Sequence, residues 1–241
     1  MMDATPLPPP ARALAIGAHP DDIEFGCGAT LAKWAAAGTD VHFLVLTDGS
    51  KGTWNADDDL DALVTTRVDE ARAAAATLAG ATVHFGDFID GELESDRAGR
   101  GLVCRVVREV RPDVVLGHDP WQRYRLHPDH RHAGWLTIDG IVAARDPHFF
   151  SGVGGHHHRP DTLLLFEADE PNHSEPVDGW METKANALLC HRSQWRSTMD
   201  IDPDAQDVDT AVAAFRARLE TKARQAPNGE LVEAFRIIND L

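Results

Sequence analysis

Compact apolar runs recur along the chain, separated by longer stretches in which apolar positions return at helical spacing. Residues 13–18, 41–46, 82–85, 114–117 and 162–166 are Ala/Val/Leu/Ile/Phe-dominated runs. They are too short for helices and are bounded by turn-forming residues, so they predict buried strands. The intervening stretches 25–37, 60–79, 102–110 and 130–144 are rich in Ala, Arg and Leu and predict helices. Gly38 and Gly80 stand where two of these helices should stop, and Pro112 breaks a third. A loop is expected over 146–160, then further helices over 182–190 and 208–223. The tail, 230–238, reads equally as a strand or a short helix.

Strand and helix thus alternate from the first run onward. That order predicts an α/β fold, a Rossmann-like, mostly parallel sheet with helices on both faces, whose active site lies at the carboxyl ends of the strands. With 241 residues and no internal repeat or linker, the expectation is one domain over 1–241, with 1–12 as a flexible N-terminal segment.

Composition narrows the function. Charged residues make up 26%, as in soluble globular proteins, and 39 acidic against 23 basic residues give a formal charge of −16. Such a balance argues against broad contact with a phosphate backbone, so no nucleic acid is expected and a small neutral or cationic substrate fits better. Cys27, Cys104 and Cys190 form no Cys-x-x-Cys pair, so neither a disulfide framework nor a thiolate zinc site is suggested. Four prolines within residues 1–10, the lack of a basic apolar leader and the lack of a spanning apolar stretch lead to the expectation of a cytoplasmic protein with no membrane partner. A homo-oligomer stays open.

The candidate chemistry sits directly after two of the strands. The first runs into Ala18-His19-Pro20-Asp21-Asp22, and His127-Pro128-Asp129-His130-Arg131-His132 follows the fourth. His19 and Asp22 are three apart in a strand-to-helix turn, where a tight bend can aim both at one ion while Asp21 points elsewhere. If Asp22 is a ligand, Asp21 is free to act as general base on the attacking water. His130 would complete three protein ligands. Two imidazoles and a carboxylate suit catalytic zinc, although iron (Fe2+), cobalt, manganese or nickel would accept the same donors. His127, one helical turn before His130, is expected to stabilise an oxyanion when protonated or to protonate a leaving group, with Asp129 orienting it.

These residues resemble the zinc-dependent de-N-acetylases called LmbE-like or PIG-L, which are marked by an Ala/Pro-His-Pro-Asp-Asp segment and a later His-Pro-Asp-His. The resemblance extends through Leu46-Thr47-Asp48-Gly49 with Gly52, Thr66-Arg67 with Glu70, Asp90-Gly91, Pro112 to Val115, Asn172-His173, and Lys184 with Leu188 to Gln194. It covers about residues 13–235. It implies His19, Asp22 and His130 as metal ligands, Asp21 as general base, His127 as oxyanion stabiliser or general acid, and Arg67 and Asp90 as sugar contacts. The implied reaction removes an acetyl group from an N-acetylated amino sugar or its conjugate, releasing acetate and a free amine. The implied partner is a small-molecule N-acetylated sugar conjugate. Ser50 stands where the family often has Glu, and Ile23 where Glu is common, with Glu24 as the next residue.

Plainer readings stand beside these. His-Pro-Asp-Asp alone is a turn with a helix cap, and Arg67 can pair with Glu70 at i+3 on a helix surface. His156, His157 and His158 read as a solvated loop, and Cys27 as a small buried hydrophobe. His118 and His132 flank the second motif and are candidates to line the cleft. Trp121 and Tyr124 offer an aromatic sugar platform, Tyr124 being the better candidate through its hydroxyl. Among other functions, a metallo-β-lactamase-like motif needs a histidine where Arg125 stands. A dinucleotide fingerprint fails because Gly26 and Gly28 are followed by Leu31. Another amide hydrolase, such as an S-conjugate amidase or antibiotic-tailoring deacetylase, and a non-catalytic sugar-binding module remain as alternatives.

Overall fold

The computed structural model describes residues 5–241. Five parallel strands follow the predicted runs: β1 (Arg12–Gly17), β2 (Asp40–Thr47), β3 (Thr82–Phe88), β4 (Val114–His118) and β5 (Thr162–Phe166). Helices α1 (Asp22–Ala36), α2 (Leu60–Ala79), α3 (Arg97–Val110) and α4 (Pro128–Arg145) connect them. The chain continues through β6 (His173–Pro176), α5 (Met181–Leu188), α6 (Val208–Lys222), β7 (Arg224–Gln225) and β8 (Leu231–Asn239). The main sheet order is β3-β2-β1-β4-β5-β8-β6, with β7 paired to β8.

The pleat sends alternate residues of one strand into two cores. Ala13 and Ala15 of β1 join Phe43 and Val45 of β2 on one face, covered by Leu31 and Trp34 of α1 and Leu78 of α2. Leu14 and Ile16 join Leu44 and Leu46 on the other face, covered by Val103 and Val107 of α3 and Leu136 and Ile141 of α4. A smaller cluster of Leu188, Trp195, Met199 and Phe215 seats α6 on α5.

Several boundaries move for local reasons. α1 begins at Asp22 rather than 25, because Asp21 turns the chain at φ 109° and its carbonyl accepts from Phe25 N at 3.0 Å. α3 begins at Arg97 rather than 102, because the Asp96 carboxylate caps it by accepting from Gly99 N at 2.8 Å. α4 begins at Pro128, whose missing N–H costs nothing at a first helical position. The tail is a strand, β8, running antiparallel between β5 and the unpredicted β6. In the described part of the N-terminal segment, Leu7 N donates to the buried Glu175 carboxylate at 2.8 Å, Thr39 Oγ1 donates to Pro10 O at 2.7 Å, and Arg12 is already in β1. Residues 1–4 lie outside the described residues.

Candidate active site

β1 and β4 are neighbours, yet the chain leaves β1 toward β2 and leaves β4 toward β5. Connections diverge there, so a crevice opens at the carboxyl ends of β1 and β4. Both sequence motifs fall at this crevice. The turn after β1 is held by Thr47, whose N–H and hydroxyl each donate to Ala18 O at 2.8 Å. His19 N donates to Asp22 Oδ2 at 2.7 Å. Asp21, between them, has left-handed φ, a conformation that costs a non-glycine residue about 1–3 kcal/mol and persists only when its surroundings impose it.

The turn brings three donors together. His19 Nδ1 lies 3.2 Å from Asp22 Oδ2 and 3.1 Å from His130 Nε2, and His130 Nε2 lies 3.2 Å from Asp22 Oδ1. Two further carboxylates hold the back of His19, with Nε2 3.1 Å from both Asp90 Oδ1 and Asp129 Oδ2. Ionised carboxylates accept only, so Nε2 carries a ring proton toward Asp90 and Asp129, while the other ring nitrogen, Nδ1, faces Asp22 and His130. Burial disfavours the charged His19 ring, but Asp22, Asp129 and Asp90 outweigh it and raise its pKa well above the usual value. Burial likewise opposes ionised Asp22, yet His130, His118 and His19 together hold its carboxyl well below the ordinary range.

Asp21 has a different environment. Burial pushes its carboxyl up to about 6 against the opposing charges of Arg67 and His191, and Asp22 and Glu24 add to the rise. Arg67 is 3% exposed, with its guanidinium donating to Gly49 O at 2.8 Å and Pro20 O at 2.6 Å and lying 3.7 Å from Asp21 Oδ2. It therefore ties the Asp48-Gly49 turn to the motif turn. Gly49 is required here, since its φ is +66° and a Cβ would stand 2.7 Å from Arg67 Nη1. The surface pair with Glu70 is overturned: Glu70 accepts instead from Ser193 N and Oγ, at 2.8 and 2.6 Å.

The second motif divides its histidines. His127 caps α4 and is exposed, with its ring 4.7 Å from that of His19. Burial of its inner part and the charges of His19 and His130 lower its pKa, so a neutral ring is favoured over the protonated one expected. The expectation that Asp129 orients His127 is corrected. Asp129 is fully buried under the loop after β3, accepts from Gly91 N at 2.6 Å and Leu93 N at 3.3 Å, and turns its carboxylate to His19. Asp90, expected at the sugar, also backs His19 while accepting from Lys51 N at 3.0 Å. Tyr124 is 88% exposed and outside the cavity lining.

Two groups with no expected role stand at the centre. Arg125 donates to His130 Nδ1 at 2.7 Å, to His118 Nδ1 at 3.1 Å and to the Glu167 carboxylate. His118 stacks on His130 at 4.5 Å and lies 3.2 Å from Asp22 Oδ2. Glu167, held down to about 2 against burial by His118 and Arg125, follows β5 directly. A carboxylate at the carboxyl end of a predicted strand was the available signal for it. The remaining candidates serve structure. His132 Nδ1 accepts from Ser95 N at 3.1 Å, Glu24 pairs with His191 at 3.2 Å, and Cys27 is buried in the core. His156 and His157 are exposed, while His158 Nε2 is 2.8 Å from Pro112 O.

These groups open into a cavity of about 480 Å³, whose wall includes His19, Asp21, Asp22, His127 and His130, with Lys51 and Gln194. The family model of the GlcNAc-PI de-N-acetylases, PIG-L, matches residues 14–140. The chain is 36% identical over 197 residues to diacetylchitobiose deacetylase of Thermococcus kodakarensis, covering 76% of this chain and 70% of that protein. It is 35% identical over 172 residues to a 1D-myo-inositol 2-acetamido-2-deoxy-α-D-glucopyranoside deacetylase of Streptomyces avermitilis, covering 61% of this chain and 58% of that longer protein. In three dimensions it resembles the N,N'-diacetylchitobiose deacetylase of Pyrococcus horikoshii, with a TM-score of 0.83 and 28% identity over 95% of this chain and 84% of that one.

Proposed function

The chain belongs to the PIG-L family of GlcNAc-PI de-N-acetylases and is a deacetylase, and from that premise we propose that it removes the acetyl group from an N-acetylated amino-sugar conjugate at a zinc site formed by His19, Asp22 and His130. The observation that carries the reading is the convergence of His19 Nδ1, His130 Nε2 and the Asp22 carboxylate within 3.2 Å of one another, beside a separate carboxylate, Asp21, in the same cavity. Two imidazoles and one carboxylate are the donor set that suits a borderline divalent cation with an open position. When bound, such an ion supplies Lewis-acid polarisation and a lowered pKa for water.

The chain's own residues supply the remaining chemistry. Asp21, with a carboxyl near 6, is ionised at neutral pH and accepts a proton from the attacking water. The water oxygen bonds to the acetamide carbonyl carbon, the carbon–nitrogen bond breaks, and the proton passes to the departing amine, leaving acetate. His127, neutral and aimed into the cavity, offers an N–H to the oxyanion as it forms. Asp90 and Asp129 fix the His19 ring, and Arg67 fixes the turn that carries Asp21. Acetate release from N-acetylglucosamine conjugates tests the reading. It should stop on chelation, return with zinc, and fall about 10²–10⁴-fold in Asp21→Asn with metal content unchanged. Release that survives chelation would sink it.

A further inference from the structure

Helix α1 is broken one turn after it begins. Cys27 has φ −148° and ψ 17°, outside the helical region, so the first turn, residues 22–26, can point differently from the core-packed remainder. That turn carries Asp22, a proposed ligand, and Phe25, part of the active-site wall. In an unbroken helix Ala29 N would donate to Phe25 O and Thr30 N to Gly26 O.

Two buried side chains from elsewhere in the chain occupy the break, Glu233 of β8 and Lys184 of α5. The Glu233 carboxylate accepts from Ala29 N at 3.1 Å and from Thr30 N at 2.8 Å, which caps the second part of α1. Lys184 Nζ donates to Phe25 O at 2.7 Å and to Glu233 Oε1 at 2.7 Å. An ammonium and a carboxylate thus stand between a carbonyl and an amide that a straight helix would join directly. Stability alone does not call for such a pair. A straight helix satisfies these backbone groups without desolvating two charges, and an apolar pair of similar volume is often as stable as a buried ion pair. The first turn also meets His191, 3.2 Å from Glu24, and Phe166, which lies 2.5 Å from where a Cβ on Gly26 would stand. Those contacts fix where the turn lies, and the pair at the break fixes where it points.

We propose that Lys184 and Glu233 are positioning residues for the metal site: by holding α1 broken at Cys27 they aim its first turn, and with it the Asp22 carboxylate, toward His19 Nδ1 and His130 Nε2. The inference rests on the metal-dependent deacetylase reading. His130 comes from α4 and His19 from the turn after β1, so of the three proposed ligands Asp22 is the one whose direction α1 sets. Metal–ligand distances are held to within about 0.2 Å, and a small re-aiming of the turn is enough to weaken the site.

The test measures three quantities on the full-length chain: the zinc dissociation constant by competition with a chromophoric chelator, the visible absorption of the cobalt-loaded protein, and urea unfolding of the chelated protein. Lys184→Arg keeps a donor for Phe25 O, Glu233→Gln keeps an acceptor for only one of the two N–H groups, and Lys184→Met/Glu233→Met removes the pair together. Zinc affinity should stay near the wild-type value in Lys184→Arg, weaken in Glu233→Gln, and weaken about 10- to 100-fold in the methionine pair, with the cobalt bands shifting in the same order. Stability of the chelated protein should follow a different order, lowest in Glu233→Gln, which leaves Lys184 buried without its counter-charge. Should one weakened variant fail to fold, the other carries the test. Wild-type zinc affinity and cobalt bands in the weakened variants, or an affinity that simply tracks chelated-state stability, overturn the positioning role and leave the deacetylase reading standing. A wild-type protein that takes up no zinc overturns the metal site, and the positioning role with it.

Discussion

At the scale of single residues, the site separates two adjacent carboxylates by environment. Asp22 faces three imidazoles and is held ionised, whereas Asp21 is buried with one guanidinium at 3.7 Å and is pushed up to about 6. In chelated protein the folded pKa of Asp21 exceeds its unfolded value of 3.8, so the folded state binds the proton more tightly. That stability is fully present below 3.8 and is lost as pH rises through about 6. Asp21→Asn removes the titration and tolerates left-handed φ. Its melting temperature should therefore gain on that of the wild type across this window and then level off; a constant difference would refute the burial argument. Arg67 acts on the same group, since its charge lowers the Asp21 pKa. Arg67→Met should move the acid limb of kcat/KM to higher pH. It should also cost about 2–3 kcal/mol in denaturant unfolding, because two carbonyls lose a charged donor.

At the scale of elements, helix packing sets how closely the motif-bearing segments approach. α4 carries His130 and lies against α3 through Gly140, where an added Cβ would stand 2.3 Å from Val103 Cγ1. Gly140→Ala should cost about 1–3 kcal/mol by overpacking, whereas Gly152→Ala, with open space around it, should change stability by less than about 0.5 kcal/mol. Equal effects in thermal unfolding would show that the α3–α4 contact is not tight. Element types followed closely from periodicity, as in 60–79 and 162–166, because one face of each meets the core. Starts of helices were less legible. Asp96 and Pro128 are capping and first-turn residues whose role depends on a few dihedral angles rather than on apolar spacing. β6 was not legible at all, since its residues are polar and become buried only by pairing with β8.

At the scale of the whole molecule, the proposed ligands come from two segments more than a hundred residues apart, joined only in the folded state. An ion bound there stabilises the native state by RT ln(1 + [L]/Kd), about 4 kcal/mol at a thousandfold excess over Kd. Chelation should lower the melting temperature and zinc should restore it. No change on either treatment would argue that the site does not hold an ion. Among the described residues no helix is long and apolar enough to cross a membrane.

The sequence by itself determined the alternation of strands and helices and the position of both His/Asp motifs at strand ends, because periodicity and turn chemistry are local properties. It also brought out His19, Asp22 and His130 as a candidate set through residue type and spacing. Only the tertiary structure decided which carboxylate backs which imidazole: Asp129 and Asp90 turn to His19, and Arg67 is withdrawn from Glu70 to brace the Asp21 turn. It alone placed Arg125 and Glu167 beside His118 and the antiparallel edge beyond β5. Side-chain direction and strand pairing arise from contacts between distant segments, which leave no period in the chain for a sequence reading to find.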